Sequence, residues 1–267
     1  QNSSAMLGLS LTIRGEGQLT DWVAGAEYYR DKVSSTRIDE NILSNVRQIT
    51  APRFPNGSLL EQASLYIHHK YNSDVKFSLL GGIRFSNVIA NIPGIDFGLD
   101  NTITQHDLSA DLGWLYDFSD HFQLKANLSY GFRAPNIFDL GTFGERPGNR
   151  FNIPNLDLAS EYVTQIDIGA RYNSSYLNME LMFFRLDYRD RILSVLTGEK
   201  TSSGRLITQS QNIGESDISG IEFDTQFELS SNASLFFVAN YIKGYQNDLS
   251  LVKQPADRIP PFNGQLG

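Results

Sequence analysis

Cysteine is absent from this chain of 267 residues. That removes disulfide frameworks and cysteine-based zinc sites from consideration. Long apolar runs are absent too: nothing approaches the roughly 20 consecutive apolar residues of a membrane helix, and the mean hydropathy is −0.28. A membrane β-barrel stays open, because there only every second residue of a strand meets lipid. A basic surface is lacking. The formal charge is −8, which argues against nucleic-acid binding. No G-x-S-x-G, H-E-x-x-H or Walker A sequence occurs, so acyl transfer, zinc hydrolysis and nucleotide hydrolysis have no visible support and no catalytic residue is assigned. The four histidines, His68, His69, His106 and His121, have no Asp or Glu at ligand spacing, and neighbours His68 and His69 point to opposite faces of a strand. No metal site or cofactor is expected. The N-x-S sequons at Asn2, Asn56, Asn127, Asn173 and Asn232 are short enough to arise by chance.

What the chain does have is period-two alternation. Val75, Phe77, Leu79, Gly81, Ile83 and Phe85 share one face, with Lys76, Ser78, Gly82 and Arg84 on the other and Leu80 as the exception. Leu108 to Phe118 and Phe122 to Phe132 repeat the pattern, opposed by Asp, Ser, Gln, Lys and Asn, and Ile221, Phe223, Phe227 and Leu229 oppose Glu222, Asp224, Gln226 and Glu228. These runs exceed the five or six residues of an ordinary strand. They suit the roughly ten residues of a tilted membrane-spanning one.

The connections alternate between short and long. "GQLT", "YNSD", "SDH", "NSS" and "SSNA" are short; 31–59, 88–104, 134–160, "TGEKTSSG" and "QNDLSLVKQPADRIP" are long. An outer-membrane barrel requires this, with tight periplasmic turns and larger extracellular loops. Aromatics near strand ends form two girdles: Trp22, Phe77, Phe118, Phe122, Tyr172 and Tyr176 towards the short turns, and Tyr28, Tyr29, Phe85, Tyr130 and Phe132 towards the long loops. The fold class is all-β, an antiparallel transmembrane β-barrel. About ten complete strands and the start of another are present. The inner face carries Asp, Glu, Arg, Lys, Asn and Gln, which implies a wide lumen and a larger parent barrel. The chain opens on "QNSSAMLGLSLTIRGE" and stops at "FNGQLG". It is expected to be a piece of a longer protein, so its lack of a signal peptide says nothing about export.

Particular segments resemble a family. "GFRAPNIFDL" (131–140) followed by "IPNLDLASEYVTQIDIGARY" (153–172) is similar to the paired F-R-A-P and N-P-x-L-x-x-E boxes of TonB-dependent outer-membrane receptors. "FFRLDYRDRIL" (183–193), "NIGESDISGIEFDTQFEL" (212–229), "RIPPFNGQLG" (258–267) and "WVAGAEYYRD" (22–31) resemble further strands of that family. The motif residues carried over are Phe132, Arg133, Ala134, Pro135, Asn155, Leu156, Glu161, Asn212, Gly214, Gly220 and Glu222. The second box departs from the pattern, with Pro154 preceding Asn155.

The resemblance implies that residues 1–267 belong to the C-terminal barrel of a ~22-stranded receptor with a plugged lumen, the plug domain and last strands lying outside this chain. It also implies a place in the bacterial outer membrane, contact with its lipid, energy from the TonB complex through the absent plug segment, and a scarce, bulky cargo. A siderophore–iron complex is the expected cargo; haem, cobalamin or an oligosaccharide are others. No histidine falls in 134–160, where haem receptors of the family often carry one. If the cargo is anionic, Arg84, Arg133, Arg146 and Arg150 are the expected ligand contacts, because a guanidinium matches carboxylate and phosphate geometry. Another outer-membrane barrel (a porin or adhesin) and a soluble β-sandwich binding module are the competing readings. By itself the fragment is expected neither to close nor to transport, since an open strand edge is left unpaired in lipid.

Overall fold

A computed structural model describes residues 1–73, 76–93, 101–247, 252–256, 259–260 and 262–267. In chain order the elements are β1 (Asn2–Glu16), β2 (Thr20–Ser35), β3 (Arg37–Asn41), β4 (Val46–Thr50), β5 (Leu59–Asn72), β6 (Phe77–Ile92), β7 (Asn101–Asp117), β8 (Phe122–Arg133), α1 (Ile137–Gly141), β9 (Gly144–Arg146), β10 (Arg150–Ile153), β11 (Glu161–Asn173), β12 (Leu177–Lys200), β13 (Leu206–Ser230), β14 (Ala233–Asn247), β15 (Gln254–Pro255) and β16 (Asn263–Leu266). Ten of these form one antiparallel meander, β1-β2-β5-β6-β7-β8-β11-β12-β13-β14, and β16 pairs with β14 as the start of the next strand. Among the described residues no helix is long and apolar enough to cross a membrane, which has no bearing on a wall of strands.

The register builds the two faces. Leu79, Trp114, Ala126, Ile168, Phe183, Ile221 and Tyr241 are successive partners across seven strands, so they form one row on one face. Leu11, Ala26, Leu65, Phe85 and Leu108 form another row. Leu11, Leu65, Phe85, Leu108, Ile168, Phe183 and Ile221 are exposed. An apolar band exposed over this many strands has no aqueous rationale, whereas lipid satisfies it. Aromatic contacts mark its edges. Trp114 stacks on Tyr116 and Phe118 meets Phe122 near the short turns; Tyr130 stacks on Tyr162 near the other end. Beyond that end the same face of β12 and β13 turns charged, with Arg185–Asp217 at 3.1 Å and Arg189–Glu215 at 2.9 Å.

The opposite face is polar and ion-paired. Lys125 binds Glu180, Arg171 lies 3.6 Å from Glu180, and His68 faces Asp111 at 3.8 Å. Tyr29 belongs here and not to the girdle. It alternates with outward Tyr28, lies between Glu27 and Asp31, and fills the space over Gly8.

Two expected loops are largely strand. The region 88–104 shrinks because β6 runs to Ile92 and β7 starts at Asn101; Val88, Ala90 and Ile92 keep the alternation and are buried. "TGEKTSSG" becomes the tip of a tall hairpin, with β12 reaching Lys200 and β13 starting at Leu206. Val75, Asp74 of "YNSD", and Arg258 and Pro261 of the last motif lie outside the described residues.

The buried core does not fill the lumen. Ala90, Ile92, Ile137, Leu140 and Leu158 form it at the long-loop end, flanked by Val33, Leu60, Ile103, Leu156 and Ile192. There the connection 134–160 folds back on the wall. Close strand approach depends on Gly220. A Cβ at this position would sit 2.6 Å from Phe184 Cζ and 2.8 Å from the Tyr241 carbonyl oxygen, which is backbone and fixed. Gly220→Val should therefore cost about 1–3 kcal/mol by overpacking and lower the heat-modifiable, folded fraction of the complete protein in detergent. Gly131→Ala, whose Cβ would meet Val163 at an ordinary 3.6 Å, should leave it unchanged.

Candidate functional site

The long-loop end is organised by a clasp built from the motif residues. β8 ends where Pro135, buried and without an N–H, leaves the sheet. Asn136 caps α1 reciprocally: its side chain accepts from Asp139 N–H at 3.0 Å, and Asp139 Oδ2 accepts from Asn136 N–H at 3.1 Å. The same Asp139 oxygen receives Arg133 Nη1 at 2.6 Å, while Arg133 Nε donates to Glu161 Oε2 at 2.6 Å. The other Glu161 oxygen accepts the Ile192 N–H. One arginine thus ties the end of β8 to α1 and to the start of β11, and one glutamate ties β11 to β12.

Residues 154–160 form a strap across this end. Asn212 Oδ1 accepts from Ala159 N–H at 2.9 Å, and its Nδ2 donates to the carbonyls of Ala159 at 2.9 Å and Asp190 at 2.8 Å. Asp190 sits at the β12 bulge with φ 53°. Gly214 lies beside it, where a Cβ would be 2.8 Å from that of Arg191. Asn155 donates to the Ser210 carbonyl at 2.8 Å, and Leu156 packs on the core. At the far side Ser160 and Tyr162 donate to Asp107 at 2.6 and 2.9 Å. Pro154 ahead of Asn155 is accommodated, since its carbonyl accepts from Gln209 at 3.0 Å. Among the remaining motif positions, Ala134 is half-buried beside Pro135, Phe132 faces outward next to Tyr162, and Glu222 lies on the inner face between Met182 and Asn240, away from the clasp. Sequence inspection missed Asn136, Asp139 and Asp107. The N-x-x-D spacing of 136–139 was a usable capping signal; Asp107 had none.

The four arginines expected at the ligand occupy different settings. Arg84 is on the inner wall, bonded to Glu27 at 2.5 Å and lying over the Tyr66 ring. Arg133 is in the clasp. Arg146 and Arg150 are direct cross-strand partners in the β9–β10 hairpin, so their side chains share a face. The turn between them needs left-handed backbone at Gly148 (φ 82°) and Asn149 (φ 57°). Arg146 lies over the Phe138 ring at 5.1 Å, and Arg53, which the sequence did not single out, lies at 5.6 Å from both Phe138 and Phe54. Burial, and then the Arg53 charge, hold the Arg146 pKa below its ordinary value. Phe54 and Phe138, with Asp31, Leu60 and Asn136, line a cleft of about 490 Å³. Among the described residues no cluster of three or more His, Asp or Glu is placed to hold a metal ion.

Comparison with known proteins gives a consistent picture. The family model described as TonB dependent receptor-like, beta-barrel matches residues 1–267. The chain is 26% identical over 209 residues to an uncharacterized TonB-dependent receptor of Haemophilus influenzae, covering 73% of this chain and 54% of that protein. It is 24% identical over 188 residues to the probable TonB-dependent siderophore receptor PirA of Acinetobacter baumannii, covering 66% and 23%. The solved structure of the copper transporter OprC superposes with a TM-score of 0.81 at 18% identity, covering 99% of this chain and 40% of that one. At that identity the likeness speaks for the fold alone. The chain spans about half or less of each of these proteins.

The clasp generates a local prediction. Glu161→Ala leaves the Ile192 N–H unpaired and removes one of the two carboxylates of Arg133. It should cost about 1–3 kcal/mol, read as faster amide hydrogen exchange in residues 137–160 with no change in β1 and β2. Unchanged exchange in the strap would contradict the clasp.

Proposed function

The chain belongs to the TonB-dependent receptor family, and from that premise we propose that it forms part of the wall of an energised uptake receptor for a ferric siderophore. Families of this kind lie in the bacterial outer membrane and consist of transporters and receptors, and this wall has the matching apolar outer band. Residues 1–267 would supply about half of a closed barrel of ~22 strands around a plug that contacts the TonB complex. The observation that carries the reading is the pairing of a polar, ion-paired inner face with a clasped loop assembly at one end. A passive wall needs the first feature. A receptor also needs the second, because a specific site requires loops held in fixed positions. The choice of iron chelate is supported by the Acinetobacter relative, named a probable siderophore receptor, and by arginines on the inner wall and loops, which suit oxyanions. No catalytic role is part of this proposal.

The test is uptake by a strain lacking the whole gene, compared with its parent under iron limitation. Uptake of at least one ferric siderophore should fall to the level of a strain lacking TonB. Unchanged uptake of every ferric siderophore, with loss of copper, haem or cobalamin uptake, would refute the cargo.

A further inference from the structure

We propose that Arg185, Lys243 and Lys253, on the lipid-facing side of the wall at the long-loop end, bind the phosphate groups of the outer-leaflet lipid. The inference uses the wall and its place in the outer membrane. It does not depend on which cargo is carried.

The register sets the depth of these cations. Phe183, Ile221 and Tyr241 are successive partners in the apolar outward row. The next outward row towards the long loops is Arg185, Ser219 and Lys243. It holds two cations and no carboxylate. The row after it is Asp187, Asp217 and Tyr245, and Lys253 returns to it from the following connection, 4.7 Å from the centre of the Tyr245 ring. Charge therefore begins one step beyond the residues that face hydrocarbon, at the level of lipid headgroups. Lys and Arg at this level lay their methylene stems on the apolar band and keep the charge among the headgroups. The outward positions beyond the band on β6 and β7 differ. There the partners are Asn87 and His106, then Ile89 and Thr104, with no lysine, arginine or carboxylate. The cationic character is not uniform around the wall.

The balance of charge within the patch favours an anion from outside. Arg189 is held between Asp187 at 2.7 Å and Glu215 at 2.9 Å, which occupies both carboxylates. Asp217 is left for the rest, 3.1 Å from Arg185 and 3.9 Å from Lys253. Among the described residues Lys243 has no carboxylate partner. Lys243 and Lys253 nevertheless converge on one ring, 5.1 and 4.7 Å from the Tyr245 centroid. Two ammonium groups on one ring repel each other, and a phosphate bridging them turns that repulsion into attraction. The side chains of Arg185 and Lys253 are 58% exposed, so their N–H groups are open to it. A guanidinium with two ammonium groups supplies the several donors that phosphate oxygens accept. The notch lined by Asp217, Tyr245 and Lys253 encloses only about 40 Å³, well below the roughly 300–1,000 Å³ of sites that enclose a small molecule. The patch is a surface open towards the membrane. That suits a headgroup whose acyl chains lie on the band beside it.

The test uses the complete protein, purified folded in detergent, and three probes: fluorescent bisphosphorylated lipid A, the same lipid with both phosphates removed, and inorganic pyrophosphate. The wild type should bind the bisphosphorylated lipid more tightly than the dephosphorylated one, and less tightly as salt is raised. Lys243→Gln, Lys253→Gln and Arg185→Gln should each weaken that binding by about fivefold, and Lys243→Arg should keep it. The triple Gln variant should bind both lipids alike. Arg30→Gln removes an outward cation on β2 that has its own partner, Glu61, at 3.8 Å, and should leave binding unchanged. Heat-modifiability reports that each variant is folded. Equal affinity of the wild type for the two lipids overturns the proposal, as does a triple Gln variant that still prefers the phosphorylated one. A loss in Arg30→Gln as large as that in Lys243→Gln would also overturn it, by making the attraction a general property of the wall. Displacement of the lipid by pyrophosphate at equal concentration would assign the cations to a soluble phosphate and overturn the lipid assignment.

Discussion

Everything in this structure follows from the need to pair backbone N–H and C=O groups where no water is available. In the hydrocarbon layer an unpaired amide costs several kcal/mol. The continuous ladder from β1 to β14 meets that requirement between neighbouring strands. Once the ladder is imposed, alternation assigns every side chain to lipid or lumen, and the sequence has to respect that division over ten strands. The row from Leu79 to Tyr241 and the Lys125–Glu180 and His68–Asp111 contacts are the two sides of one constraint. The same ladder explains Gly220, where a neighbouring carbonyl leaves no room for a side chain.

Where the ladder ends, a different economy takes over. The long connections emerge into water and have to be held by side chains. Arg133, Glu161 and Asn212 do this with charge-assisted and amide hydrogen bonds: Arg133 joins two carboxylates, and Glu161 and Asn212 reach backbone groups of β12 and of the strap. Asp139 and Glu161 are taken by Arg133, and among the described residues Arg53, Arg146 and Arg150 have no carboxylate partner.

The wall was legible in the sequence because period two is a strong signal when each residue has only two environments. Leu108 to Phe118 and Phe122 to Phe132 could be assigned a face without coordinates. Loop boundaries were less legible. Val88, Ala90 and Ile92 occupy inward positions of β6, in step with Arg84 and Ser86, yet they are apolar; Ala90 and Ile92 bury against Ile137 and Leu140 of α1, a partner that only the fold brings to them. Tyr29 was placed in the girdle on residue type alone, whereas its position next to outward Tyr28 fixes it inside. The clasp was half legible: Arg133, Glu161 and Asn212 stood in motifs, while Asn136, Asp139 and Asp107 become partners only when segments distant in sequence meet. Arg53 carried no signal at all. It lies in "APRFPNG", and only Phe143 N–H bonding to its carbonyl at 3.1 Å, with the ring of Phe138 beneath its guanidinium, gives it a place.

The central claim is that one face of this sheet meets lipid and the other does not. The absence of cysteine from the chain allows single cysteines to be introduced one by one along β11, from Tyr162 to Asn173, in the complete receptor reconstituted in lipid. Nitroxide labels there report contact with oxygen, which concentrates in lipid, and with a water-soluble nickel chelate. The account predicts oxygen maxima at Ile166, Ile168 and Ala170 and minima at Gln165, Asp167 and Gly169, a strict period of two. Oxygen contact that is uniform along β11, or that peaks at Gln165 and Asp167, would contradict it.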